Sequence, residues 1–157
     1  MVDPAVPVPT IRPAVPADLP ELRRVFRAAS LSNPEDVPVL LAHPEFLQFT
    51  GDGVAEGRTR VAESSQQGGI LGFATVADSD DDDAELEDLF VDPHWHRRGV
   101  ARSLVVDAVE ALRKSGRRRL YVVGNPTALP FYRAVGFIGG DAVATELGAG
   151  LRLHLDL

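Results

Sequence analysis

Hydrophobic residues along this 157-residue chain change their spacing several times, and each change marks an element. "TIRPA", from residue 10, alternates briefly and reads as a short strand. In "ADLPELRRVFRAASL", Leu22, Val25, Phe26 and Ala29 share one helical face, Asp18 stands at the cap position, and Pro20 is tolerated in the first turn. "PEDVPVLLAHPEFLQF" predicts a second helix, interrupted by Pro38 and Pro44. From residue 58 the period drops to two. "RTRVAES", "ILGFATVA" and "AELEDLFV" read as three strands of an antiparallel meander, with turns at "QQGG" and "DSDDDD". Helical spacing returns with Ala101, Leu104, Val105, Ala108, Ala111 and Leu112; Arg113 and Lys114 suit the helix end and Gly116 its C-cap. "RLYVVGN" is a buried strand, "TALPFYRAV" a short helix stopped by Gly136, and "GFIGG" and "LRLHLDL" supply the final strands.

The order is β-α-α-β-β-β-α-β-α-β-β, with no internal repeat and no linker. It predicts a single α/β (α+β) domain over residues 10–157, built on a mixed, mostly antiparallel central sheet flanked by helices. Residues 1–9 alternate Pro with Val and Ala, which predicts an extended, flexible N-terminal segment.

Charge narrows the field of partners. A net charge of −7 argues against nucleic acid and against an anionic membrane as partner, and it is compatible with amines. The chain has no cysteine, which removes disulfides, thiolate metal sites and a cysteine nucleophile. "MVDPAVPVPT" lacks the basic and apolar regions of a signal peptide, and no apolar run reaches membrane-spanning length, so a cytoplasmic location is expected.

One stretch conflicts with local electrostatics. In "HRRGVARSLV", Arg97, Arg98 and Arg102 crowd the start of a helix, where the macrodipole disfavours cations. On a solvated turn this mismatch costs only about 0.3–1 kcal/mol per residue. The arrangement gains a purpose if a multiply charged anion sits there: helix-start N–H groups lack intrahelical acceptors, and Gly99 lets a bulky ligand approach the backbone. That points to a diphosphate. No Lys-Ser/Thr pair follows the glycine, as a Walker loop requires, and the three-glycine dinucleotide fingerprint is absent.

"LFVDPHWHRRGVARSLV" resembles the acyl-CoA binding motif of the GNAT superfamily of N-acyltransferases, Q/R-x-x-G-x-G/A, written here His96-Arg97-Arg98-Gly99-Val100-Ala101. Histidine at the first position departs from the pattern. "NPTALPFYRAVGF", Asn125 to Phe137, resembles the N-x-x-A-x-x-F-Y-x-x-x-G-F segment of the same family. The resemblance extends over residues 10–157 and implies a GNAT-like fold. It implies that Leu89, Phe90 and Val91 lie where their strand bends from its neighbour and meet the pantetheine arm of the acyl donor. It implies a diphosphate wrap by Arg97, Arg98, Gly99, Val100, Ala101 and Arg102, and a cofactor contact from Asn125. The donor so implied is acetyl-CoA, as cosubstrate and without a metal.

The expected reaction is direct attack of a primary amine of a small molecule or peptide on the thioester, with a base taking the ammonium proton. Tyr132 would stand near the sulfur and give the leaving thiolate a proton; without the resemblance it reads as a core aromatic beside Phe131. Acidic residues on the "AELEDLFV" strand act as bases in some relatives. Alternation puts Glu85 and Glu87 on one face and Asp88 on the other, unless a bulge shifts the parity. Glu85 and Glu87 equally well flank a solvated face. Other relatives carry a glutamate five residues before the asparagine; here that position is Leu120, which closes that route. "DSDDDD" lacks the glycine and terminal glutamate of a calcium loop, and His94 and His96 lack further ligands at metal spacing. "RRR" at 117–119 reads as a solvated turn, though basic residues can reach the 3′-phosphate of the family's cofactor. The main alternative is a non-catalytic acyl-CoA-binding module or sensor of the same fold. A nucleotide-binding protein using the same helix start is a third reading. A homodimer is compatible with the sequence, which names no acceptor.

Overall fold

Strand β1 (Thr10–Pro13) leads through a 3-10 turn (Pro16–Asp18) into helix α1 (Leu19–Ser30). Helix α2 (Val37–Ala42), a second 3-10 turn (Pro44–Leu47) and the single turn α3 (Asp52–Ala55) follow. The meander is β2 (Thr59–Glu63), β3 (Ile70–Asp78) and β4 (Asp83–Val91). A 3-10 turn (Pro93–Trp95) precedes α4 (Val100–Lys114), then come β5 (Arg119–Gly124), a further 3-10 turn (Pro126–Ala128) and α5 (Leu129–Ala134). The hairpin of β6 (Ile138–Thr145) and β7 (Gly148–Asp156) closes the chain. This computed structural model describes residues 8–66, 68–79 and 82–157.

The seven strands form one sheet in the order β1-β2-β3-β4-β5-β7-β6. Every pairing is antiparallel except β4 with β5, the pair that α4 connects. One face is sealed by α4: Leu104, Val105 and Leu112 pack with Leu86, Leu120, Val122, Phe137 and Leu153. The other face carries α1, whose Leu22 and Val25 pack against Val61 and Phe73. Phe73, Phe90, Phe49 and Phe26 form a run of ring contacts with centroids 4.8–5.6 Å apart on that side. The two cores explain why β3 reads as a continuous apolar run rather than an alternation.

Several boundaries differ from expectation for physical reasons. Asp18 does not cap α1: its carboxylate accepts two hydrogen bonds from Arg12, at 2.8 and 3.0 Å, and one from the Val15 amide. Arg12 also donates to Glu63 of β2. Pro38 sits in the first turn of α2 rather than breaking it, since a first-turn proline gives up no helical bond, whereas Pro44 does open a separate 3-10 turn. The turn α3 was not expected; four residues hold too little pattern to read. On α4, Val109 is buried and Ala111 exposed. Strands β6 and β7 extend beyond "GFIGG" and "LRLHLDL" because β6 and the start of β7 are mostly solvated, and burial marks an alternation only toward the end of β7, at Leu153 and Leu155. The glycine at the end of α4 behaves as read: Gly116 has φ 80°, its N–H reaches Arg113, and the Arg117 N–H reaches Leu112. The turn at "QQGG" includes residue 67 and the "DSDDDD" loop includes residues 80 and 81; these three lie outside the described residues, as do residues 1–7 of the N-terminal segment.

Candidate active site

The site is built around a missing pairing. Strands β4 and β5 are joined only at Asp83–Arg119, Ala84–Leu120 and Glu85–Tyr121. From there β5 continues alongside β7 to Gly124, while Leu86–Val91 keep β3 as their only strand partner among the described residues. The sheet opens into a wedge, with Leu89, Phe90 and Val91 on one wall and the end of β5 on the other.

A bulge re-aims the first wall. Leu86 pairs with Val76 and Asp88 with Thr75, so Glu87 is an extra residue on β4. Phe90 packs with the α1-side core and Val91 with the α4-side core. Asp88, two residues before Phe90, therefore shares the α1 face, and so does Glu85, one residue before the α4-facing Leu86. The bulge shifts the parity at Asp88, which lies on the face of Glu85 rather than opposite it.

The three carboxylates differ in what holds them. Glu87 pairs with Arg58 at 3.0 Å, and Arg58 also holds Glu56 at 2.9 Å. Glu85 makes no hydrogen bond or ion pair among the described residues. Asp88 is largely buried, and burial pushes its pKa up; the Thr75 hydroxyl and Arg58 oppose that shift, and Glu87 adds to it. Thr75 and Thr59 oxygens lie 2.8 Å apart and fully buried. Either hydroxyl can donate to the other.

The loop after β4 is pinned at its start and strained at its end. Asp92 is buried; it accepts from the His94 amide at 3.0 Å, the His94 ring at 3.1 Å and Arg24 of α1 at 2.9 Å. The His96 ring Nε2–H donates to the Val91 carbonyl at 3.3 Å, so the histidine that departs from the family motif ties the loop to the end of β4. Arg97 is in the left-handed region at φ 61°, and Gly99 follows at φ 81°. Among non-glycine described residues only Arg97 has positive φ, which marks the loop as a place of backbone strain. Such conformations turn successive N–H groups toward one concave side. Gly99 caps α4 without a side chain, no acidic residue occupies the first turn, and a Cβ on Gly99 would meet nothing within 4 Å. Arg98 lies over the Trp95 ring at 5.3 Å, while Arg97, Arg98 and Arg102 are exposed and form no ion pair among the described residues. The donor set, the open space and the uncompensated cations fit a diphosphate.

The second wall ends in Gly124 and Asn125. A Cβ on Gly124 would come within 2.7 Å of the Tyr132 ring, so the glycine lets that ring lie against the strand. Tyr132 is 8% exposed, wedged edge-on between Phe131 and Phe137, and burial pushes its phenol up to about 12. Asn125 accepts from the Thr127 amide and hydroxyl, both at 2.9 Å, and donates to Asp36 at 3.1 Å. It thus ties the segment between α1 and α2 to the tip of β5. Arg117 and Arg119 pair with Asp78 and Asp156, at the far end of α4 from the Arg97 loop. Fifteen residues of helix put about 22 Å between them. Sequence reasoning did not single out Gly124, Thr59 or Thr75. For Gly124 the signal was a glycine closing an apolar strand; for the threonines there was none.

A sheet splayed between its two parallel strands, with an anion cradle at the mouth, defines a class of acyl-CoA-dependent transferases. A profile of the acetyltransferase (GNAT) family matches residues 22–137, and the chain belongs to that family. A GCN5-related N-acetyltransferase from Rhodopseudomonas palustris superposes with a TM-score of 0.73 at 20% identity, over 97% of this chain and 98% of that one. The PaiA N-acetyltransferase from Thermoplasma acidophilum, solved in complex with coenzyme A, gives 0.72 at 16% identity over 94% and 98%. An uncharacterized N-acetyltransferase of Methanocaldococcus jannaschii is 42% identical over 57 residues, 34% of this chain; the match spans a quarter of that relative's length.

The Arg24–Asp92 contact sets an acid limit on the loop. Burial alone would raise the Asp92 carboxyl, but Arg24 and the two His94 donors together hold it below the ordinary range. A carboxyl lowered in the folded state stabilises above its unfolded pKa, and that contribution is lost as pH falls through the folded value. Asp92→Asn is expected to lower stability by about 1 kcal/mol at neutral pH, given the half-exposed Arg24, and to flatten the loss of stability below about pH 5. Urea unfolding as a function of pH measures both.

Proposed function

We propose that the chain is an N-acetyltransferase that moves an acetyl group from acetyl-CoA to a primary amine by direct attack in a ternary complex. The observation that carries this reading is the coincidence of the wedge with the strained loop: pairing of β4 and β5 stops at Glu85–Tyr121, and Arg97 and Gly99 take left-handed conformations at the same mouth. Family membership supports the chemistry.

In this reading the N–H groups of Arg97–Arg102 receive the diphosphate, helped by the three arginine charges. The main chain of Leu89, Phe90 and Val91, freed from β5, borders the pantetheine arm and supplies a fixed donor for the oxygen that gains charge. Asp88 is the group best suited to remove the ammonium proton. It shares the α1 face with Glu85 beside the wedge, and burial raises its affinity for a proton. Glu87 is engaged by Arg58, and Glu85 stands deeper in the wedge, where it attracts the incoming ammonium.

Tyr132 acts as a hydrogen-bond donor to the departing sulfur. A phenol at about 12 is about 3.5 units weaker an acid than a thiol, so complete transfer to the thiolate runs uphill by about 5 kcal/mol. Donation without transfer carries no such penalty.

Three variants test the reading. Gly99→Trp, checked for folding by circular dichroism, is expected to abolish binding of acetyl-CoA and desulfo-CoA in calorimetric titrations; normal affinity would contradict the cradle. Asp88→Asn is expected to lower kcat/KM by about 10²–10⁴-fold with acetyl-CoA affinity kept, and to remove an acid limb above the usual carboxylate range. Tyr132→Phe is expected to reduce kcat by about tenfold at nearly unchanged cofactor affinity; an unchanged kcat would take the tyrosine out of the mechanism.

A further inference from the structure

On the last three strands, Leu120, Val122, Leu153 and Leu155 face the α4-side core. The alternate residues Tyr121, Arg152 and His154 therefore lie on the opposite face, the one that also bears Glu85 and Asp88. Tyr121 pairs directly with Glu85 on one side and His154 on the other.

Arg152 has two neighbouring strands to turn to. Toward the outer edge, Asp141 of β6 is its direct cross-strand partner, and a carboxylate opposite an arginine ordinarily attracts it. The guanidinium does not go there. It lies over the Tyr121 ring, 4.4 Å from the centroid, one strand inward toward the wedge. Among the described residues it makes no ion pair. Tyr121 is thus flanked by an unpaired carboxylate on β4 and an unpaired guanidinium held against its ring. Neither charge is paired, so each is left open to a molecule lying between them.

We propose that Arg152 is the anion-recognition group of the acceptor site, and that the acceptor is a free α-amino acid whose carboxylate it binds while the amine points to the β4 carboxylates. The inference rests on the acyl-transfer reading. The contact with the Tyr121 ring steadies the guanidinium, and its N–H groups remain available for a bidentate carboxylate contact. Two strand spacings of about 4.8 Å separate the β4 and β7 backbones, and the inward lean of Arg152 shortens the gap to the scale of one small zwitterion.

The test uses the full chain with acetyl-CoA and a thiol-release assay. Its panel holds the common α-amino acids, the carboxamide of each and the corresponding decarboxylated amine. The expected result is a preference for one or more acids over their own amides of about ten- to a hundredfold in kcat/KM. Arg152→Gln should reduce that preference at least about tenfold, mainly through the KM for the acid, with the KM for acetyl-CoA unmoved; Arg152→Lys should restore part of it. Amides or decarboxylated amines that work as well as the acids would overturn the proposal, as would an acid preference that survives Arg152→Gln. If no amine releases thiol, the transfer reading has failed, and the anion site is judged by titrating N-acetyl amino acids into the CoA-saturated protein. Binding that Arg152→Gln abolishes supports the site, and no binding to the unaltered protein overturns it.

Discussion

Everything distinctive in this molecule depends on the point at which two parallel strands part. Helix α4 leaves β4 and returns to β5, so the two must lie side by side at their starts, and three residue pairs hold them there. Beyond the third pair β5 is committed to β7, and β4 to β3. A sheet interior ordinarily leaves no main-chain group without a strand partner. Here the wedge leaves one side of Leu86–Val91 without one, and the start of α4 leaves its first amides without acceptors at the same mouth. Two separate deficits of hydrogen bonding thus meet in one place.

The supports around the wedge are unequal in kind. The α4 face is held mainly by packing, from Leu104 to Phe137, with one ion pair between Asp107 of α4 and Arg60 of β2. The α1 face is held by rings together with charges: Arg24 to Asp92, and Arg12 to Asp18 and Glu63. The segment between α1 and α2 is fastened at its far end by Asp36 to Asn125. The α1 side is therefore bounded in part by polar contacts, and the α4 side chiefly by a hydrophobic core.

Most of the fold was legible because burial writes itself into spacing. The meander, α4 with its glycine terminator, and the β5–α5 unit all follow from apolar periodicity. The N-terminal helices and the last hairpin were read less well. They are short or solvated, and a residue that is not buried leaves no period. In the site, the glycine and arginines of the loop stood out because they contradict helix electrostatics, and the family pattern located Asn125 and Tyr132. The bulge at Glu87 could be named as a possibility but not placed. One inserted residue changes no composition and breaks no motif; it changes only which face each later side chain takes. Arg152 was illegible for a different reason, since its meaning lies in the direction it turns between Asp141 and Tyr121.

The buried threonines have a consequence for how the molecule registers a proton. The Thr59–Thr75 bond has no fixed sense of its own, since either hydroxyl can donate. Its surroundings set the preferred sense, and Asp88 is the cross-strand partner of Thr75. A single ionisation on β4 thus biases the direction of a buried bond that joins β3 to β2.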